Sequence, residues 1–558
     1  MKVLSASEMQ ACDRATTERF GVPSIELMRA ASKAVAEFAR RQFAEARRVT
    51  VLCGRGNNGG DGMMAARLLV EAGLDVTTLL LGDPEGLAGD AAVAWKELTE
   101  PAHGRIHVVK EPRELAGLSG ALDVDLIVDA VLGTGFKPPV KGLALAAMEW
   151  AGESRAKVLA VDVPSGWPAD ATSATVEGPV FAADAVVTFT APKPAHLFGQ
   201  LTRRWDDPVV VAPIGSPEEA IVSELRLSWA GLSLELVQRP RAAAANKGNF
   251  GHVLVVGGSF GSGGGKAGAP AMAALAALRA GAGLVTAAVP EPAMAAVGAI
   301  APELMAWPLE ATGEGQIAAG NLDPKRLAAL LADKTVLVIG PGLGQSAGTA
   351  QFVMGLLLAT KMPAVVDADA LNSLAAKPGA IKGLAQGRAL VMTPHPGEMA
   401  RLAGITVAEV QADRLGVARG FAEHFCVTVV LKGARTIIAH PDGRVAVNTS
   451  GNPGMAKGGS GDVLSGLIAG ILAQHPDEPA RAVEAAVYLH GLAADEAVRV
   501  GDEHTLLATD ALRFLDRAFR HQGIRFGNDG RTGYVCLQGA LHAADLWISF
   551  GAGLRTRQ

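Results

Sequence analysis

The sequence predicts an α/β protein made of successive units, each a largely parallel sheet covered by helices. Three observations predict it. Short β-branched runs recur without polar alternation, as in strands buried on both faces. The runs end in glycine-rich turns. Ala- and Leu-rich amphipathic stretches follow the turns. At ~150 residues per domain, 558 residues allow three to four such units. No period of 20–50 residues marks a solenoid.

In the first half, strands are expected at 49–53, 76–81, 106–109, 126–131, 158–163, 185–190 and 209–212, with helices between them, for example at 62–72 and 143–151. The texture then changes. Ser216-Pro217-Glu218 opens a polar stretch, and Arg239-Pro240-Arg241 before an alanine run reads as a connector. A second α/β unit follows, with strands at 252–256, 285–289, 335–339, 364–366, 389–392 and 427–431. Segments 436–439 and 445–448 flank Asp442-Gly443 as a hairpin, and long helices at 462–473 and 480–498 close the unit. Residues 527–558 mix polar turns with an aromatic run at 546–550 and receive no function.

Lys and Arg number 51 against 56 Asp and Glu, a net charge of −5, with no block of like charge. That balance leaves no footprint for nucleic acid. Small phosphorylated ligands remain open, because helix N-termini bind phosphate through backbone N–H groups. The cysteines Cys12, Cys53, Cys426 and Cys536 form no C-x-x-C pair, which argues against a disulfide framework or a thiolate zinc site. The N-terminus lacks a signal-peptide apolar core, and apolar runs such as 269–277 are too short to span a bilayer. A cytoplasmic protein without membrane contact is expected.

Gly54-Arg55-Gly56-Asn57-Asn58-Gly59 matches G-x-G-x-x-G between a strand and a helix. In so glycine-rich a chain the match is weak, and the acid usually found about 20 residues on is represented only by Asp83, outside the strand end. The overlapping Asn57-Asn58-Gly59-Gly60-Asp61-Gly62 places two amides and a carboxylate at one turn. It reads either as an Asx-rich turn or as oxygen ligands for a hard cation. Two more strands end comparably, at Asp129-Ala130-Val131-Leu132-Gly133-Thr134-Gly135 and Asp162-Val163-Pro164-Ser165-Gly166. Carboxyl ends of parallel strands line one crevice.

In the second half, Gly257-Gly258-Ser259-Phe260-Gly261 matches the nucleophile elbow G-x-S-x-G, but no His and acid follow in hydrolase order. Lys266 lacks the flanking residues of a P-loop. His395-Pro396-Gly397-Glu398 invites a metal, yet Pro and Gly between the two are expected to prevent a helix face there. The sharpest signal is the run from Asn452 through Gly454, Lys457, Gly458, Gly459, Ser460 and Gly461 to Asp462, leading into a helix. A glycine nest at a helix N-terminus is an anion hole. Asp462 reads as a helix cap or as a base beside bound phosphate.

The Gly458–Asp462 signature resembles the anion hole and catalytic Asp of the ribokinase-like fold. Together with Gly340-Pro341-Gly342-Leu343-Gly344, Thr393–Glu398, Leu431-Lys432-Gly433-Ala434 and Asn452-Pro453-Gly454-Met455, it resembles the ADP-dependent NAD(P)H-hydrate dehydratases. The first-half motifs resemble the NAD(P)H-hydrate epimerases, and their order resembles the bacterial bifunctional NAD(P)H-hydrate repair family over about residues 1–520. The resemblance implies a Rossmann-like three-layer epimerase domain at 1–220, a connector at 221–245, a ribokinase-like dehydratase domain at 246–520 and a tail at 527–558.

Such enzymes are expected to interconvert the R and S hydrates at nicotinamide C6 and to dehydrate the S form, turning ADP into AMP and phosphate. By resemblance, Asn58, Asp129 and Ser165 would hold a potassium ion. Asn57, Asn58, Gly59, Gly60, Asp61, Gly133, Thr134, Gly135, Phe136, Lys137, Pro138, Pro139 and Asp162 would bind the hydrate, with Asp162 catalytic. In the second domain Ala269, Gly344, His395 and Asp462 would face the hydrate, with Asp462 catalytic. Lys432, Gly433, Ala434, Arg435, Thr436, Asn452, Gly454, Lys457, Gly458, Gly459, Ser460 and Gly461 would bind ADP, accompanied by magnesium. The implied partners are the NADH and NADPH hydrates and ADP, in a homo-oligomer. No single residue decides ADP over ATP. Lys457 and Ser460 stand where many members have Thr; Trp167-Pro168 replaces smaller residues after Ser165-Gly166. The alternatives are a ribokinase-type small-molecule kinase fused to a sensory domain, and a first half that only binds nucleotide as an interaction module.

Overall fold

The computed structural model describes residues 1–261, 264–521 and 534–539. It divides into two compact units, one formed by residues 1–225 with the described C-terminal segment and one by residues 226–521.

The seven strands expected in the first half all form. They are β1 (Arg48–Cys53), β2 (Asp75–Leu81), β3 (Arg105–Val109), β4 (Leu126–Ala130), β5 (Lys157–Val161), β6 (Ala185–Phe189) and β7 (Val209–Ala212). They are parallel, in the order β3-β2-β1-β4-β5-β6-β7. Val49, Val51, Ile127, Val128, Val186 and Val187 are fully buried, as β-branched runs covered on both faces require. The strand order reverses between β1 and β4, which opens a crevice at their carboxyl ends.

The helix after β1 runs Asn57–Glu71 and starts earlier than the expected 62–72. The Asn-Asn-Gly-Gly-Asp-Gly run is therefore its first turns. The glycines let it lie close to the sheet: a Cβ on Gly59 would fall 1.8 Å from the Gly54 carbonyl oxygen, and one on Gly62 would fall 2.5 Å from Ala130 Cβ. Helices Ala6–Glu18 and Ser24–Gln42 precede β1. Neither was anticipated. The Ser5–Glu8 capping box of the first was a readable start signal.

The second unit contains β8 (Leu227–Trp229), β9 (His252–Val256), the two-residue strands β10 (Phe260–Gly261) and β11 (Gly264–Gly265), β12 (Leu284–Pro290), β13 (Met305–Leu309), β14 (Val336–Ile339), β15 (Ala364–Val366), β16 (Leu390–Met392), β17 (Thr428–Leu431), β18 (Ile437–Ala439) and β19 (Val445–Val447). Its main sheet has the order β13-β12-β9-β14-β15-β16-β17-β18-β19-β8. It is parallel from β13 to β17, and β18–β19 is the expected antiparallel hairpin. The connector expected at 221–245 is corrected: β8 pairs with β19 from residue 227, and Leu234 and Leu236 are buried. Trp229 seats β8 by donating from Nε1 to Thr449 Oγ1 at 2.8 Å and packing edge-on to Tyr488. Three residues are too few to show a period.

Helices Gly268–Arg279 and Ser460–Gln474 pack side by side. A Cβ on Gly466 would lie 2.0 Å from the Ala273 carbonyl oxygen, and one on Gly470 would lie 2.5 Å from that of Ala277. Met272 reaches Gly459, so the two N-termini lie together at the same end of the sheet. Within the expected tail, β20 (Val535–Gln538) pairs antiparallel with β7, so part of 527–558 has a structural place. The aromatic run 546–550 lies outside the described residues. Among those described, no helix is long and apolar enough to cross a membrane.

Candidate active sites

In the first unit, the loops after β1, β4, β5 and β6 surround a cleft of about 1050 Å³. Asn57, Asn58, Asp61, Gly133, Thr134, Gly135, Phe136 and Asp162 line it. Gly59 and Gly60 do not, being turned into helix packing; a Cβ on Gly60 would strike Met28. Lys137, Pro138 and Pro139 also lie outside the lining.

Asp162 follows β5 with a left-handed backbone, φ 66°. Its Oδ1 accepts from Lys193 Nζ at 2.8 Å and from Thr188 Oγ1 at 2.7 Å. Burial raises its pKa, but the Lys193 ammonium and these hydrogen bonds outweigh burial and hold it below the usual carboxylate range. His196 fixes the backbone. Its Nδ1 accepts the Lys193 N–H at 2.9 Å and its Nε2 lies 2.8 Å from the Asp162 carbonyl oxygen. Burial pushes this imidazole down to about 4, so it is neutral, with the proton on Nε2. Asp61 is driven the other way: burial, then the charges of Asp162 and Asp13, raise it well above its ordinary value.

Behind the cleft, Ser165 Oγ donates to Asp129 Oδ1 at 2.6 Å and accepts from Leu132 N–H at 2.9 Å; Ser165 N–H donates to Asp129 Oδ2 at 2.8 Å. Asp129 is fully buried, which pushes its carboxyl up to about 6. Asn58 packs against Gly133, and both its amide atoms are buried without a hydrogen-bond partner among the described residues. An orphaned amide beside a buried carboxylate and a hydroxyl is an oxygen donor set suited to a hard monovalent cation.

In the second unit, Gly459 caps helix Ser460–Gln474 with φ 96°, a left-handed turn that glycine adopts freely. Asp462 lies in the first helical turn, half-buried. Burial and Asp367 push its carboxyl up to about 6, partly offset by Lys432. Asp367, directly after β15, accepts from Lys432 Nζ at 2.9 Å and from Ser465 Oγ at 2.6 Å. Lys432 also lies 3.8 Å from Glu398 Oε2. Burial lowers its pKa, but these carboxylates outweigh that and keep it charged. The Gly344 N–H donates to Asp369 Oδ2 at 2.9 Å, Lys266 Nζ lies 3.7 Å from the same oxygen, and Ala269 adjoins Gly342. Ala269, Gly344, Lys432 and Asp462 thus converge at the carboxyl ends of the strands.

One expectation changes. His395 is the N-cap of helix Pro396–Ala403, with Nδ1 accepting from Gly397 and Glu398 N–H. The helix that Pro and Gly were expected to prevent begins there, because proline is tolerated at its first position. Lys457 Nζ donates to the His504 carbonyl at 2.6 Å. Asn452 is tied to Asp495 Oδ1 at 2.9 Å, and Ser460 Oγ donates to the Met455 carbonyl at 2.7 Å, so both shape the turn from within. In the β17–β18 connection, Arg414 donates to the Leu431 and Ala434 carbonyls and Thr436 Oγ1 to that of Gly433. These bonds brace the connection from 431 to 436.

A profile described as NAD(P)H-hydrate dehydratase matches residues 253–517, and one described as YjeF-related protein N-terminus matches residues 24–195. The bifunctional NAD(P)H-hydrate repair enzyme of Moorella thermoacetica is 41% identical over 93% of this chain and 97% of its own. The chain belongs to the bifunctional NAD(P)H-hydrate repair enzymes. The Escherichia coli member is 36% identical over 92% of this chain and 93% of its own. An ADP/ATP-dependent NAD(P)H-hydrate dehydratase from Bacillus subtilis, co-crystallised with ATP and Mg²⁺, is 32% identical over 51% of this chain and 96% of its own, with a TM-score of 0.43.

In this NAD(P)H-hydrate repair enzyme, Asp13, Lys193, His196 and Asp367 lie outside the motifs legible in the sequence. Asp367 had a signal, an acid directly after a buried strand like Asp129 and Asp162. Lys193 had a fainter one, standing between two prolines just past β6. Asp13 had none, because its helix approaches the cleft only in three dimensions.

Proposed function

We propose that the first-unit cleft is the epimerase centre and that the Asp462 constellation is the dehydratase centre of this bifunctional repair enzyme. The first interconverts R and S NADH and NADPH hydrates at C6. The second dehydrates the S hydrate at the expense of ADP, giving AMP and phosphate. The observation that carries the reading is Asp462 at a glycine-capped helix N-terminus, partly exposed, with its proton affinity raised by burial.

Hydroxide is a poor leaving group, and phosphorylation of the C6 oxygen makes it a good one. Asp462 accepts the hydroxyl proton as that oxygen attacks the terminal phosphorus of ADP. The N–H groups of 458–461 and the helix dipole hold the phosphate oxygens. The N1 lone pair then expels phosphate, and loss of a C5 proton restores the dihydropyridine. Lys432 sets the charge around Asp462, and Ala269 and Gly344 border the hydrate. Magnesium entering with the nucleotide supplies positive charge to its phosphates. In the first unit, ionised Asp162 stabilises a nicotinamide-like cation. Asn58, Asp129 and Ser165 would hold potassium, which would supply a positive charge beside the Asp129 carboxylate. The protein is proposed to work in the cytoplasm as a homo-oligomer.

The test is to incubate the chain with mixed NADH hydrates, ADP and magnesium. Recovery of the near-ultraviolet absorbance of reduced nicotinamide with stoichiometric phosphate supports the reading. Accumulation of a phosphorylated hydrate would identify a kinase instead.

A further inference from the structure

The buried floor of the epimerase cleft holds more acid than its one buried ammonium can pair, the other cations Arg55, Lys110 and Lys141 being more exposed. Asp13 from helix Ala6–Glu18, Asp61 from helix Asn57–Glu71 and Asp162 after β5 line it together, with Asp90 at its margin. Lys193 is the buried cation among them, and its Nζ is committed to Asp162 Oδ1 and Thr188 Oγ1, each at 2.8 Å. His196 is neutral and bound to backbone, and the Cys12 thiol beside Asp13 is pushed up by burial and by that carboxylate, so neither supplies a charge. Asp13 receives none of this pairing: its Oδ1 is buried and has no hydrogen-bond partner among the described residues. A bare buried carboxylate oxygen beside a second carboxylate is unfavourable, whereas a protonated carboxyl suits the place. Burial pushes Asp13 up to about 6, with Lys193 opposing and Asp162 adding to the rise. The cleft therefore sets an ionised acid, Asp162, beside acids of raised proton affinity, Asp13 and Asp61, the division that acid–base chemistry needs. Of the two raised acids, Asp13 is the one with a bare buried oxygen.

We propose that Asp13 is a catalytic residue of the epimerase, the acid that protonates the C6 hydroxyl as it leaves and takes the proton back when water returns. The assignment rests on reading this cleft as the epimerase centre. In the step, the C6–O bond breaks with its electron pair on oxygen. That oxygen takes the Asp13 proton and leaves as water. The N1 lone pair becomes the second bond of an N1=C6 iminium, which faces ionised Asp162. The planar iminium turns its other face to Asp13, water adds there, its proton passes to Asp13 and N1 recovers its lone pair. Nothing is oxidised or reduced.

The full chain is assayed for R-to-S exchange of NADH hydrate by chromatography, without ADP. Asp13→Asn, which keeps shape but cannot donate a carboxylic proton, lowers kcat by about 10²–10⁴-fold with KM changed by less than about threefold. The wild-type rate falls as pH rises through about 6, where Asp13 loses its proton. Asp13→Glu restores measurable exchange with that pH limb, and Asp13→Asn lacks it. Wild-type kcat in Asp13→Asn, a loss confined to KM, or transfer of the limb to Asp61→Asn overturns the proposal. A wild-type chain that dehydrates S hydrate but exchanges no epimers sinks the epimerase reading and this proposal together. An active wild type with an unaffected Asp13→Asn sinks the proposal alone.

Discussion

Asp462 and Asp162 are both acids at strand-end or helix-start positions, and their neighbours set them to different work. Asp462 has carboxylates close by and most of its surface buried, so it retains protons to about 6. A base acts only when ionised. The ADP-dependent kcat/KM for S hydrate should therefore drop about tenfold per pH unit below 6 and level off above it. Asp462→Asn should lose about 10²–10⁴-fold in dehydration while ADP affinity by calorimetry stays near wild type; undiminished turnover would remove the base assignment. Asp162 is kept ionised by Lys193, so Lys193→Met should cripple epimer exchange yet leave ADP-dependent dehydration of pure S hydrate intact. Equal loss of both activities would mean the two centres are not separable.

At the scale of elements, helix packing decides where these residues stand. Gly466 touches the backbone of helix Gly268–Arg279. Gly466→Val must push the two helices apart, at a cost of about 3 kcal/mol, measurable by urea denaturation, with dehydration lost before folding is. The start of helix Asn57–Glu71 carries a second dependence, since its Asn58 amide is orphaned in the structure. Replacing potassium with choline should lower the melting temperature of wild type by about 2–4 °C, and Asn58→Ala should abolish that ion dependence. Identical potassium sensitivity in the variant would place the ion elsewhere. Strand positions were readable because fully buried parallel strands are written as unbroken β-branched runs. The Asn57 helix start was hidden, because glycines that read as a turn serve instead to bring helix and sheet together. His395 was hidden in the same way: Pro396 looked like a breaker and is a helix's first residue.

At the scale of the molecule, each unit gathers its chemistry at the carboxyl ends of a parallel sheet. The first unit also recruits a strand from far along the chain. β20 covers the β7 edge, with Tyr534 donating to the Ala34 carbonyl at 2.6 Å and Gln538 Nε2 to Thr202 Oγ1 at 3.0 Å. An uncovered edge invites pairing with other chains. Ending the chain at residue 521 should make the epimerase unit melt earlier and aggregate on heating, while dehydration persists. An unchanged melting curve would show that β20 contributes nothing to the edge.

From composition, runs and motifs, the sequence by itself determined two parallel α/β sheets, most of their strands, the glycine-lined helix start at 458–462 and the family. These are local properties, carried by adjacent residues. Only the tertiary structure decided that Lys193 pairs with Asp162, that Asp367 holds Lys432, that Asp13 enters the cleft, and that 227–229 and 535–538 are edge strands. Each depends on groups far apart in the chain meeting in a buried place, where desolvation and neighbouring charge rather than residue type set what a side chain does.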